Sequence, residues 1–169
     1  MFVLGIDPGL TRCGYGLVAR GATASTFAAR AAGTIETDPK DPVEQRLFEL
    51  SVGLRELLAE YRPDTVVVER LFFQTNARTA TGVAQASGVA LACAVEHGCA
   101  VAQYTSNEVK LAVVGYGAAT KRQVQTMVAR QVGLDVAPSP DAADALALAV
   151  CHLVGSSLRA AVSAAEARP

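Results

Sequence analysis

The sequence predicts an α/β domain: a mixed sheet of three antiparallel strands followed by parallel ones, flanked by helices. Three observations carry that reading. The opening 37 residues hold three apolar runs separated by turn residues, the pattern of an antiparallel meander. From Asp41 onward, segments of helical period alternate with short strand-like runs, which implies parallel pairing and helices on the sheet faces. The 169-residue chain is 51% apolar, which favours one domain burying roughly 70% of its unfolded surface.

The elements follow in order. "FVLGID" reads as a buried strand ended by Pro8-Gly9. "CGYGLVAR" is a second strand and "TFAARAAGTIET" a third. "DPVEQRLFELSVGLRELLAEYRP" is a helix. Pro42 suits its first turn, positions 47, 50, 54, 57 and 58 keep helical period, and Pro63 marks its stop. "DTVVVER" is a short buried strand ending at Glu69. "NARTATGVAQASGVALACAVEHG" is a long helix with Asn76 as cap and Gly98 as terminator. "CAVAQY" is a strand. "SNEVKLAVVG" is a short helix capped by Ser106, and "TKRQVQTMVARQVG" is the next, after the loop "GYGAA". The last helix is expected from Pro140 to about Val154. One domain spans 1–155, and 156–169, rich in Ala, Ser and Arg, is expected to form a flexible tail.

No apolar run approaches the ~18 residues of a membrane span, and no basic signal region opens the chain, so a soluble cytoplasmic protein is expected. Cys13, Cys93, Cys99 and Cys151 form no CxxC pair and sit among small apolar residues, as reduced buried thiols do. His97 and His152 lack ligand spacing, which argues against zinc. The net charge of −1 makes no general case for nucleic acid. Its distribution is uneven, however. Residues 34–64 hold eight acids and four bases, whereas 65–134 hold three acids and six bases.

The chemistry lies in four acids. Asp7 and Glu69 each end a buried strand, and Asp141 and Asp144 open the last helix, three apart and on one face. All four are expected where a buried element emerges at a rim. Each alone has a bland explanation: a turn, a helix-dipole acid or a surface ion pair. Asp144 fits that explanation least, because it lies on the apolar face with no base nearby in sequence. Two carboxylates about 5 Å apart repel by roughly 3 kcal/mol at an effective dielectric near 20. A hard divalent cation offsets that repulsion, and carboxylate oxygens are what Mg2+ and Mn2+ prefer. Three or four converging acids suit two such ions clamping a phosphodiester.

"LGIDPGLTRCGYGLV", "VVVERLFFQTNARTA", "VKLAVVGYGAATKRQVQTMV" and "SPDAADALALAVCHL" together closely resemble the RuvC family of Holliday-junction resolvases, in order, from about Phe2 to Leu153. The resemblance implies a ribonuclease H-like fold, a homodimer, and cutting of two opposed strands of a four-way DNA junction with two Mg2+ or Mn2+ ions per site. It implies 5′-phosphate and 3′-hydroxyl ends, a role in recombination and repair, and partnership with a branch-migration complex, RuvA and RuvB. The family's catalytic and metal-binding acids fall on Asp7, Glu69, Asp141 and Asp144. Its aromatic wedge falls on Phe72, with Phe73 a possible substitute, and its DNA-contacting lysines on Lys110 and Lys121.

Arg78 and Arg122 join the expected DNA-binding set as neighbouring bases, and the loop before Lys121 feeds a helix N-terminus suited to phosphate. Ala80, Ala84, Gly88 and Ala92 form a stripe of small residues. On the bare sequence that stripe packs equally well on its own sheet; the resemblance tips it toward a twin helix. Two rivals remain: a related nuclease acting on RNA or duplex ends, and a silent binding protein. An actin-like ATPase, suggested by "GIDPG", needs a far longer chain.

Overall fold

The computed structural model describes residues 1–23, 26–70 and 77–166, with side chains described for all of these except 77–79 and 157–166. The order of elements is β1 (Phe2–Asp7), β2 (Arg12–Arg20), β3 (Phe27–Glu36), α1 (Val43–Tyr61), β4 (Thr65–Glu69), α2 (Ala77–Glu96), β5 (Ala100–Tyr104), α3 (Ser106–Val114), α4 (Lys121–Gln131) and α5 (Pro140–Glu166). The sheet runs β3-β2-β1-β4-β5, with β1–β2 and β2–β3 antiparallel, and β1–β4 and β4–β5 parallel. This is the mixed sheet the sequence predicts.

Alternation along the strands divides the core into two layers. Leu4, Ile6, Leu17, Val66 and Val68 pack with Leu50, Leu54 and Leu58 of α1 and with Ala86, Ala90 and Ala94 of α2. Val3, Val18 and Val67 point the other way, into a layer built from α3, α4 and α5. Each fully buried leucine contributes about 2 kcal/mol. The α1 leucines recur every four residues, so they form one stripe. α1 closes at Arg62, which takes a left-handed conformation (φ 42°) and donates its N–H to the Leu58 carbonyl. Pro63 follows, so the stop lies where the sequence puts it.

Two local expectations are corrected. The cap of α3 is Thr105 rather than Ser106. Its hydroxyl accepts from the Glu108 N–H while the Glu108 carboxylate accepts from the Thr105 N–H, a reciprocal pair that Ser106 is one residue too late to make. And α5 does not stop at Val154 but continues helically to Glu166. The run "SSLRAAVSAAE" contains no Gly or Pro, so nothing in it terminates a helix already begun.

α5 lies against the sheet more closely than side chains normally permit. A Cβ on Gly5 would fall 1.9 Å from the Ala145 carbonyl oxygen, and one on Gly14 would fall 2.2 Å from the Asp141 carbonyl oxygen. Gly14 is the cross-strand neighbour of Asp7. These two glycines therefore let the start of α5 settle directly beside the end of β1.

Candidate active site

β1 and β4 are adjacent and parallel, with Ile6 level with Val68. Asp7 and Glu69, one residue further along, thus end neighbouring strands at the same height. The pleat sends both to one face, because Val3 and Val67, an even number of residues back, both enter the α5 layer. Asp144 arrives on that face one turn into α5. The three carboxylates line one cavity of about 400 Å3 together with Lys110 of α3 and Lys121 of α4; Val109, Val124, Ala147 and Leu148 form its apolar wall.

Asp7 is half-buried, and its pKa is pushed up from 3.8 to about 7. Burial is the largest cause, followed by repulsion from Asp144 and Glu69, with Lys121 opposing. Glu69 is raised by burial and then by Asp144. Asp144 is raised by burial, against the pull of Lys121. Burial is the largest cause for all three, and repulsion from neighbouring acids adds to it.

The tertiary structure supplies bases that spacing does not reveal. Lys121 Nζ stands 2.5 Å from Asp144 Oδ2. Asp141 does not line the cavity; the Arg12 Nε donates to its Oδ2 at 2.8 Å, and Arg12 Nη1 lies 3.0 Å from Glu36. Two of the four acids are thereby engaged by cations from β2 and α4. Among the described residues, no group of three His, Cys, Asp or Glu side chains is gathered closely enough to hold a metal ion. The donor set itself suits one: hard carboxylate oxygens, mutually repelling, at an open cavity with two lysines.

Arg12 was missed by sequence reasoning, although it stands five residues beyond Asp7 in the same quoted block. Only the packing of α5 on β2 shows that it reaches Asp141. Arg122, in the first turn of α4, is exposed. The amides at the start of α4 are partly used: Thr120 accepts from the Gln123 N–H, and Gln123 accepts from the Thr120 N–H. Gly115 takes φ +77° as the cap of α3, so it does turn the chain. Phe72, Phe73 and Asn76 lie outside the described residues, and Arg78 is placed by its backbone alone. In α2, Gly88 and Ala92 are exposed and Ala80 and Ala84 half-buried, while Ala86, Ala90, Cys93 and Ala94 face the core. Cys13, Cys93 and Cys151 are buried and Cys99 is half-buried, and none of the four is in a disulfide.

The family model for the crossover junction endodeoxyribonuclease RuvC matches residues 3–152. This chain belongs to the RuvC family. Relatives named crossover junction endodeoxyribonuclease RuvC include that of Leifsonia xyli subsp. xyli, 51% identical over 152 residues, which are 89% of this chain and 72% of that one. The Salinispora arenicola relative is 49% identical over 169 residues, covering 99% and 96%. Among solved structures, the Thermus thermophilus RuvC in complex with Holliday junction substrate superposes with a TM-score of 0.88 at 36% identity, covering 94% of this chain and 96% of that one. The mixed sheet flanked by helices is thus the ribonuclease H-like fold of RuvC. No helix among the described residues is long and apolar enough to cross a membrane.

Proposed function

We propose that this RuvC-family chain is a structure-selective endonuclease that resolves four-way DNA junctions by paired symmetric phosphodiester cuts, in recombination and repair in the cytoplasm. The observation that carries the reading is the convergence of Asp7, Glu69 and Asp144 in a cavity that also holds Lys110 and Lys121. Carboxylates alone would suit many cation sites. Carboxylates flanked by lysines suit a metal-dependent reaction on a phosphate.

Asp7, Glu69 and Asp144 are the residues that would hold two Mg2+ or Mn2+ ions, with Asp141 joining them once released from Arg12. Bound there, the ions would supply an activated water and charge support for the departing 3′ oxygen, giving a 5′-phosphate and a 3′-hydroxyl. The chain's own contribution is placement. The level ends of β1 and β4 fix Asp7 and Glu69, the apolar wall limits water, and Lys110, Lys121 and Arg122 anchor phosphates. Phe72, with Phe73 beside it in sequence, is assigned to opening the crossover, and Arg78 to the DNA backbone.

The exposed stripe around Gly88 and Ala92 is assigned to a two-fold dimer, which sets two such sites to cut symmetrically. A branch-migration complex, RuvA and RuvB, is the partner proposed for presenting the junction. The test is cleavage of a synthetic mobile four-way junction in Mg2+, Mn2+ or chelator, with duplex and RNA–DNA hybrid as competitors. Asp7→Asn and Glu69→Gln are expected to bind the junction but not cut it. Wild-type cutting rates in both would refute the site, and preference for the hybrid would refute the substrate.

A further inference from the structure

Arg46 is the one Arg, Lys, Asp or Glu side chain that is buried among the described residues, at 8% exposure. It sits in the first turn of α1, where the helix dipole disfavours a cation. Its bonds go to neutral hydroxyls: Nε donates to Thr37 Oγ1 at 3.0 Å and Nη2 to Thr11 Oγ1 at 2.6 Å. No carboxylate of a described residue pairs with it, and residues 71–76 contain no acid that could. A buried cation without a counter-charge is costly, and proteins ordinarily pair it.

The guanidinium is not sealed from solvent. Among the described residues, the fully buried side-chain polar atom left without a partner is Gln131 Oε1, so Nη1 of Arg46, which has none, still meets water. Thr11 is exposed. Its hydroxyl oxygen accepts from Arg46, which leaves the hydroxyl hydrogen free to donate outward. The turn that carries Thr11 is tied to Thr37 by two hydrogen bonds: the Thr37 N–H donates to the Thr11 carbonyl at 3.1 Å, and the Thr37 hydroxyl to the Leu10 carbonyl at 2.6 Å. That turn leads directly from Asp7 into β2.

We propose that the β1–β2 turn is a phosphate seat, in which the Thr11 hydroxyl and the Arg46 guanidinium hold a backbone phosphodiester of the strand presented to Asp7. A phosphodiester brings one negative charge, which neutralises one guanidinium, and its oxygens accept from both donors. The inference rests on the proposed action on DNA and adds a contact from α1 and the turn that follows Asp7, neither of which lines the cavity of Lys110 and Lys121.

The experiment measures four-way junction binding in chelator across a salt series for wild type, Arg46→Gln, Arg46→Lys and Thr11→Val. Arg55→Gln serves as a control that removes the same charge from the exposed face of α1. Arg46→Gln is expected to lower the slope of log Kd against log salt by about 0.9 and to weaken binding about tenfold. Arg46→Lys should restore the slope. Thr11→Val should weaken binding about threefold at an unchanged slope. Arg55→Gln should match wild type.

Wild-type slope and affinity in both Arg46→Gln and Thr11→Val would overturn the proposal and leave Arg46 a purely structural residue. If Arg46→Gln fails to fold, Thr11→Val decides alone, because its side chain is exposed and wild-type affinity there has the same consequence. A wild type that binds no junction would instead overturn the DNA reading on which the inference rests.

Discussion

Replacing Asp7 with Asn is expected to stabilise the metal-free protein at neutral and alkaline pH. The carboxyl of Asp7 is raised from 3.8 to about 7 by burial and by its acidic neighbours. A carboxyl group with a folded pKa above its unfolded one binds its proton more tightly when folded. It therefore costs no stability below 3.8, costs progressively more as pH rises, and costs its full amount above 7. At about 1.4 kcal/mol per pH unit, the ceiling on that cost is about 4 kcal/mol. Solvent at the half-open cavity lowers it, so about 2–4 kcal/mol is expected above pH 7. For a chain of this length that corresponds to about 6–11 °C in Tm.

The assay is thermal unfolding of wild type and Asp7→Asn in chelator from pH 4 to 8.5. The two curves should meet near pH 4 and separate with Asn the more stable. Millimolar Mg2+ or Mn2+ should then raise the wild type and close the gap, since an ion held by Asp7 removes the cost at its source. If Asp7→Asn is the less stable protein at pH 8, or the offset does not change with pH, the clustered-charge argument fails.

Two further outcomes follow from packing. Gly5→Ala places a methyl 1.9 Å from the Ala145 carbonyl oxygen, so α5 must lift from β1; a loss of about 3 kcal/mol or more is expected by chemical denaturation, with cleavage falling further than folding because Asp144 moves with the helix. A Cβ at the exposed Gly88 meets nothing within 4 Å, so Gly88→Arg should leave the fold intact; sedimentation should show it monomeric where wild type is dimeric, and an unchanged dimer would move the interface off α2.

The fold was largely legible because its signals are local. Short apolar runs bounded by turn residues, the helical period of the α1 leucines, and Pro63 and Gly98 at element ends all act within a few residues. The two ends misjudged, at Thr105 and Val154, turn on a reciprocal hydrogen bond and on the absence of a stop, which composition expresses weakly. The acids were legible as strand-end and helix-start residues. Their counter-charges were not: Arg12 and Asp141 are 129 positions apart, and Lys121 meets Asp144 only because α4 packs on α5. Gly5 and Gly14 were equally silent. A glycine in a strand reads as a weak point, and only the docked helix shows that bringing Asp144 to Asp7 depends on the missing side chains.

Lys121 carries two assignments that can be separated. Its ammonium contacts Asp144 at 2.5 Å, yet its side chain is 60% exposed, so the pair is worth no more than about 1 kcal/mol to folding. If that pair were its whole role, Lys121→Met would cost stability at that level, raise the protonated fraction of Asp144 at a given pH, and leave the salt dependence of junction binding untouched. If Lys121 also turns to a phosphate when DNA arrives, the same variant lowers the salt slope by about one in addition. A lysine that serves both releases Asp144 as it engages the strand, so the carboxylate becomes available as the phosphate arrives. Measuring the slope and Tm of Lys121→Met together distinguishes the cases. A lowered Tm with a wild-type slope would confine Lys121 to the resting ion pair and remove it from the DNA contacts.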